Sequence, residues 1–176
     1  MLTPIASPSS PFARARDAWN ALALRLDAAI GDGLLSLVAR IAIAAIFLQS
    51  GRTKVEGFLT VTPSAVELFR DEYRLPLLSP ELAAHLAAYA VHLFPALLAV
   101  GLLSRLSALA LLGMTAVIEI FVYPQAWPTH IQWAAMLLVL LCRGPGKLAI
   151  DEWLRRRLFA QLGPNTGEAS PAAEAK

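Results

Sequence analysis

Seven side chains in this sequence have types and positions suited to chemistry: Glu119, His85, His92, Tyr89, Arg40, Lys54 and His130. Each interrupts or borders a long apolar run. An ionisable group there is costly, so each marks a functional or structural demand. Glu119 stands in TAVIEIFVYP, Thr115 to Pro124, with no charge partner nearby in sequence. Thr115, Glu119 and Tyr123 recur at i, i+4 and i+8, a polar stripe along one helix face. The carboxyl would be neutral through desolvation, or charged beside Lys54 or a histidine. A quinone head-group needs donors and acceptors of this kind near one membrane interface. A packing network or interfacial exposure would account for the same residues.

His85, Tyr89 and His92 fall at i, i+4 and i+7, again one face. Ala84 and Ala88 beside them form a small-xxx-small pair that lets helices approach closely, so this face is expected to turn into a bundle. Pro95 frees the carbonyl of Val91. Two histidines could ligate a haem, but no other cofactor signature accompanies them, and hydrogen-bonded structural histidines fit better. Arg40, Phe47 and Lys54 are spaced by seven and share a face with slow drift. That face could hold an anion or a quinone carbonyl. Alternatively, Arg40 snorkels or pairs with a backbone carbonyl to fix helix packing.

No nucleotide loop, metal-ligand spacing or catalytic-triad signature is present, so no catalytic residue and no metal site can be named. The single cysteine, Cys142, excludes an intrachain disulfide, a CxxC redox pair and a Cys-ligated iron–sulfur cluster. It stands beside Arg143. It is either a reactive thiol, which needs exposure and a lowered pKa, or a small buried side chain. Any cofactor is therefore expected to be non-covalent, with quinone the candidate, or to belong to a partner.

The elements that must carry these residues are apolar helices. Of 176 residues, 57% are hydrophobic, and the mean hydropathy is +0.57, well above soluble norms. Four segments approach the ~20 apolar residues a bilayer requires: about 33–51, 82–103, 106–122 and 126–142. The spacing predicts an all-α membrane protein, a four-helix transmembrane bundle within residues 33–157. Amphipathic interfacial helices are expected at 12–32 and 147–158, and disordered tails at 1–11 and 163–176. A further short helix in SAVELFRDEYR would cap the bundle outside. Basic residues set orientation. Arg14, Arg16, Arg25, Arg105, Arg143, Lys147, Arg155, Arg156, Arg157 and Lys176 fall on one side. On the other, Arg52, Lys54, Arg70 and Arg74 are offset by Glu56, Glu67, Asp71, Glu72 and Glu81. Both termini are expected in the cytoplasm. Helical rise then puts Arg40 about 10 Å above the inner end and Glu119 about 21 Å past Arg105, near the outer boundary. The net charge of +2 is too small to imply nucleic acid. Membrane lipid is the implied partner, and the homo-oligomeric state is not legible.

Four motifs resemble the DoxX family of small four-span bacterial membrane proteins. RIAIAAIFLQSGRTK carries Arg40, Phe47, Gly51 and Lys54. GLLSRLSALAL carries Gly101, Leu102, Arg105 and Ala108. FVYPQAWPTH covers Phe121 to His130. RGPGKLAIDEWL carries Gly144, Pro145, Gly146 and Asp151. The resemblance covers roughly residues 36 to 157. One departure is that family members often carry an acid midway along span two, where this chain has His92 and Pro95. The resemblance implies a bacterial inner-membrane protein. Some relatives are linked to thiosulfate oxidation, passing electrons to quinone with a partner subunit, and others to redox-stress complexes with soluble oxidoreductases. The leading expectation is thus a membrane subunit of a quinone-linked redox complex acting with a partner protein. Two alternatives remain open. One is a structural anchor with no active site of its own. The other is a small permeation unit, which lacks the inverted repeats usual in transporters.

Overall fold

The computed structural model describes residues 10–161. Helix α1 runs Pro11–Arg52, opened by a proline in its first turn and by Ser10, whose Oγ accepts from the Ala13 N–H at 3.2 Å. Proline suits this position because the missing N–H would be unpaired anyway. Gly31, at φ 58 and ψ 155, interrupts the helix in a conformation glycine adopts without steric penalty. The amphipathic first part is thereby set off from the apolar second part. A two-residue antiparallel hairpin follows, β1 (Val55–Glu56) with β2 (Thr60–Val61). Then come α2 (Pro63–Leu68), a π-helical turn (Phe69–Tyr73), α3 (Pro80–Val100) and α4 (Ser104–Phe121). A 3₁₀ turn (Pro124–Ala126), α5 (Trp127–Arg143) and α6 (Ile150–Gln161) complete the described chain.

The long helices alternate in direction and close a ring, α1 on α3, α3 on α4, α4 on α5 and α5 on α1. One end of the bundle, the loop end, carries the hairpin, α2 and the Pro124 turn. The other, the tail end, carries the tight α3–α4 turn and α6. In α1 the buried positions are Ser36, Arg40, Ile43, Ala44, Phe47 and Gly51, the three-and-four spacing of one helical face. They meet Val91 and Leu98 of α3, Leu111 of α4, and Leu137 and Leu140 of α5. The outer faces are apolar too. Leu35 and Val38 on α1, Leu86 and Leu93 on α3, Leu109 and Ile120 on α4, and Leu138 and Val139 on α5 are all exposed. Continuous apolar cover of this kind is a liability in water and is what hydrocarbon demands, with backbone polar groups satisfied inside helices.

Three helices, α1, α3 and α4, are long and apolar enough to cross a membrane. The fourth expected span forms α5, which at 17 residues lies at the lower limit of about 17 for crossing. The count of four therefore describes the bundle, while three helices meet the length and composition of a span. The N-terminal part of α1 is exposed along nearly its whole length. Phe12, Trp19, Leu22, Leu26 and Ile30 are exposed along it. Residues 1–9 and the tail expected at 163–176 lie outside the described residues, whereas Ser10 and Pro11, expected within the tail, already form the helix cap and first turn. The β-hairpin is an addition to the all-α expectation.

Candidate functional site at the loop end

A cleft of about 570 Å³ opens in the loop-end half of the bundle. Its walls are small and apolar. Ala87 and Ala90 on α3 line it together with Ala110 and Gly113 on α4. A Cβ built on Gly113 would meet nothing within 4 Å, so the space is not filled by a neighbour. Leu86 and Val117, which also line the cleft, are exposed on the lipid-facing surface. Phe47 and Trp133 form its floor with ring centroids 5.7 Å apart.

The polar groups of the cleft come from the loop end: Lys54, Ser50, Tyr73, Tyr123 and His130. Lys54 is buried just past α1 and held from both sides. Its N–H donates to the Gly51 carbonyl at 2.9 Å, and its own carbonyl accepts from Thr62 N at 3.1 Å through the hairpin. Its ammonium donates to the Ser50 carbonyl at 3.0 Å and to Ser50 Oγ at 3.1 Å. An ammonium has three donors, so one remains. Burial pulls the Lys54 pKa below the ordinary lysine value, because desolvation disfavours the charged form. Tyr73 sits on the π turn, its ring 4.3 Å from that of Phe69. Burial first, and the Glu72 charge second, push its pKa up, so it stays a protonated donor. Tyr123 donates to Glu72 at 2.5 Å, and this bond raises its pKa to about 12.

Glu119 on α4 meets His130 on α5, with Oε2 2.6 Å from Nδ1. The imidazole is nearly buried and the carboxylate partly so. A carboxylate on one ring nitrogen fixes the tautomer with the proton there, so Nδ1–H donates to Glu119. Nε2 is then the nitrogen left to meet anything in the cleft. His130 lines the cleft and Glu119 stands behind it.

The other four expected residues lie elsewhere. His85 is exposed, with Nδ1 2.7 Å from the Glu81 carbonyl, and Tyr89 beside it is exposed on the outer surface. The face expected to turn inward thus faces out at these two positions. The reason is the neighbouring small residues: Ala84, Ala88 and Val91 make the close-packed seam, and His85 and Tyr89 lie one step round the helix from it. His92 is half-buried at the seam's edge, with Nδ1 2.6 Å from the Ala88 carbonyl. A Cβ on Gly51 would come within 2.8 Å of its ring and 2.7 Å of Val91, so Gly51 is what lets α1 and α3 approach.

Arg40 is fully buried at the tail end. Its guanidinium donates to the carbonyls of Leu98, Ala99 and Leu148 at 3.4, 3.0 and 2.6 Å. Of the two readings open for Arg40, the geometry is that of backbone pairing. The guanidinium closes the α3 C-terminus, where carbonyls lack helical partners and a cation is favoured. Gly101, in the left-handed region at φ 77, turns the chain there, and a Cβ on it would fall 2.4 Å from Arg40 Nη1. Asp151 completes the tie. Its two carboxylate oxygens accept from Leu103 N and Ser104 N, each at 2.8 Å, and its own N–H donates to Gly101 O at 2.9 Å. It thereby caps α4 from a distant part of the chain.

Tyr73, Glu72 and Ser50 were not singled out from sequence. The signal available for the first was Phe69 and Tyr73 at i and i+4 in a short polar helix. Cys142 is exposed at the tail end.

No curated protein and no solved structure matches this chain. A family model, that of DoxX, matches residues 35–124. That segment holds α1 from Leu35 onward, the hairpin, α2, the π-helical turn, α3 and α4, and ends at Pro124, leaving α5 and α6 outside it. The matched region is more than half of the sequence and takes in the C-terminal part of α1 and all of α3 and α4, the three helices able to cross a membrane, so this chain belongs to the DoxX family and is a multi-pass integral membrane protein.

Proposed function

We propose that this protein is the membrane subunit of a redox complex and binds a quinone in the loop-end cleft. The observation that carries this is the cleft itself. An apolar slot lies beside the lipid-facing surface, closed at one end by the Lys54 ammonium, the Tyr73 hydroxyl and His130 backed by Glu119. The lining fits a flat ring with an apolar tail. Lys54 and Tyr73 offer donors to ring oxygens, and the walls exclude water. When bound, a quinone supplies a two-electron, two-proton carrier. The electrons come from a partner oxidoreductase. His130 holds or releases a proton at Nε2, and Glu119 steadies the imidazole in either state. Membership of the DoxX family supports a bacterial inner membrane, and the asymmetry of basic residues supports cytoplasmic termini, which puts the cleft at the outer boundary.

The test uses purified full-length protein in mild detergent with a short-chain quinone analogue. The analogue is expected to raise the melting temperature of the native chain. A Cβ at Gly113 meets nothing within 4 Å, so Gly113→Leu projects into the slot, and it improves helix propensity by about 1 kcal/mol; it should fold as well as the parent and lose the quinone effect. An equal shift in Gly113→Leu, or none in the parent, would exclude this cleft.

A second reading, a structural anchor for partner assembly, is favoured by one observation. Arg40 and Asp151, from two of the recurrent motifs, are engaged in bracing helix ends. It requires Glu119→Gln and Arg40→Gln to lower stability alone. A functional defect at normal protein level in Glu119→Gln argues against it.

A further inference from the structure

At the tail end a second groove, about 770 Å³, runs between the start of α4, the end of α5, the Gly144–Gly146 loop and α6. Five cations line it, Arg105, Arg143, Lys147, Arg155 and Arg156, against three carboxylates. The carboxylates are largely spent. Both oxygens of Asp151 accept from the α4 backbone. Glu152 lies between Arg155 and Arg156, each at 2.8 Å. Asp32 is 3.8 Å from Arg143 with both side chains open to solvent, a pair worth little. That leaves Arg105 and Lys147. Arg105 makes one 3.4 Å bond, to the Cys142 carbonyl, and its guanidinium lies against Gly144, whose absent side chain keeps the groove open there. Lys147 has no hydrogen-bond partner among the described residues.

A second observation points to a ligand. Ser104 lines the groove, is fully buried, and its Oγ has no hydrogen-bond partner. A buried hydroxyl without a partner is costly, and this one sits beside surplus positive charge. We propose that the groove is a binding site for an anionic phosphate ester, held by Arg105, Lys147 and the Ser104 hydroxyl. Phosphate suits these groups because its oxygens accept several charge-assisted bonds at once. Leu103 and Leu106 on the rim are exposed among lipid-facing residues, which suits the headgroup of an anionic phospholipid. A soluble phosphate compound would use the same groups.

The experiment titrates full-length protein in neutral detergent with phosphatidylglycerol and, separately, with inorganic phosphate, following thermal unfolding and native mass spectra. Phosphatidylcholine and chloride at matched ionic strength are the controls. Either phosphate source is expected to stabilise the protein above its control. A lipid effect alone identifies a headgroup site, and an equal effect of free phosphate identifies a soluble ligand. Arg105→Gln with Lys147→Gln should weaken binding more than tenfold. Ser104→Ala, which removes a hydroxyl that bonds nothing, should weaken it about threefold with no loss of melting temperature in the unliganded protein. Arg157→Gln is the control for diffuse attraction. Its guanidinium lies 4.5 Å over the Trp153 ring, outside the groove, and its removal should leave binding within about twofold. The site is overturned if Arg157→Gln weakens binding as much as the double variant does. It is also overturned if neither phosphate source exceeds its control.

Discussion

Lys54 concentrates the residue-scale argument because its two surroundings pull apart. Its ammonium is desolvated, yet it keeps one donor for the cleft. Replacing it with methionine removes the desolvation cost and keeps the apolar stem. The expected outcome is an unchanged or raised melting temperature together with loss of quinone protection, read in the same thermal titration. His130→Phe should behave differently. It leaves Glu119 without its partner, so stability should fall by about 1–3 kcal/mol, and combining it with Glu119→Gln should recover part of that loss. Tyr123 supplies a pH signature. Its pKa is raised to about 12 by the bond to Glu72, so the bond contributes fully below the ordinary tyrosine value near 10 and is lost as pH rises through about 12. An ultraviolet tyrosinate titration should show a component at about 12 that disappears in Tyr123→Phe and shifts down in Glu72→Gln.

Between elements, close approach and distant capping do most of the work. Gly51 admits His92 and Val91, and Gly101 admits Arg40. Gly51→Leu should cost about 1–3 kcal/mol by forcing α1 from α3, measured as a fall in denaturation midpoint. Arg40→Gln strips several carbonyls of a charged donor in a buried place and should cost about 3 kcal/mol or more. If instead it left stability intact and removed quinone binding, the bracing role would be wrong. On α6, Arg155 and Arg156 hold the Glu152 carboxyl down at about 2. A lowered acid pKa stabilises above the ordinary value near 4.5 and loses that contribution as pH falls toward 2. Helicity lost over that window should be smaller in Glu152→Gln, as circular dichroism of the two chains would register.

At the scale of the whole molecule, the bundle was legible in the sequence because its signal is bulk composition. Apolar runs of span length, charges gathered mainly in ends and loops, and four ordered motifs lead to α1, α3, α4 and α5 with few alternatives. The site was legible only in part, for a physical reason. Glu119 and His130 are eleven residues apart and meet across the α4–α5 turn, so depth reasoning brings them together. His85 and Tyr89 were misplaced because an apolar helix has no polar face to reveal which side is inward. The small residues Ala84 and Ala88 decide it, and His85 and Tyr89 lie one step round the helix from them. Tyr73 is hidden in the sequence because it lies in a short polar segment that reads as an outer cap, and only the fold brings that segment over the cleft. The length of α5 carries a consequence for the surrounding membrane. From Asp32 to Arg52 the second part of α1 rises about 31 Å, while α5 rises about 26 Å. A bilayer that matches one side of this molecule is several ångströms too thick for the other, so the membrane must thin beside α5 or a neighbouring protein must cover it. Thickness-graded vesicles should therefore change the self-association of this chain, with the α5 side favoured as the contact in the thicker ones.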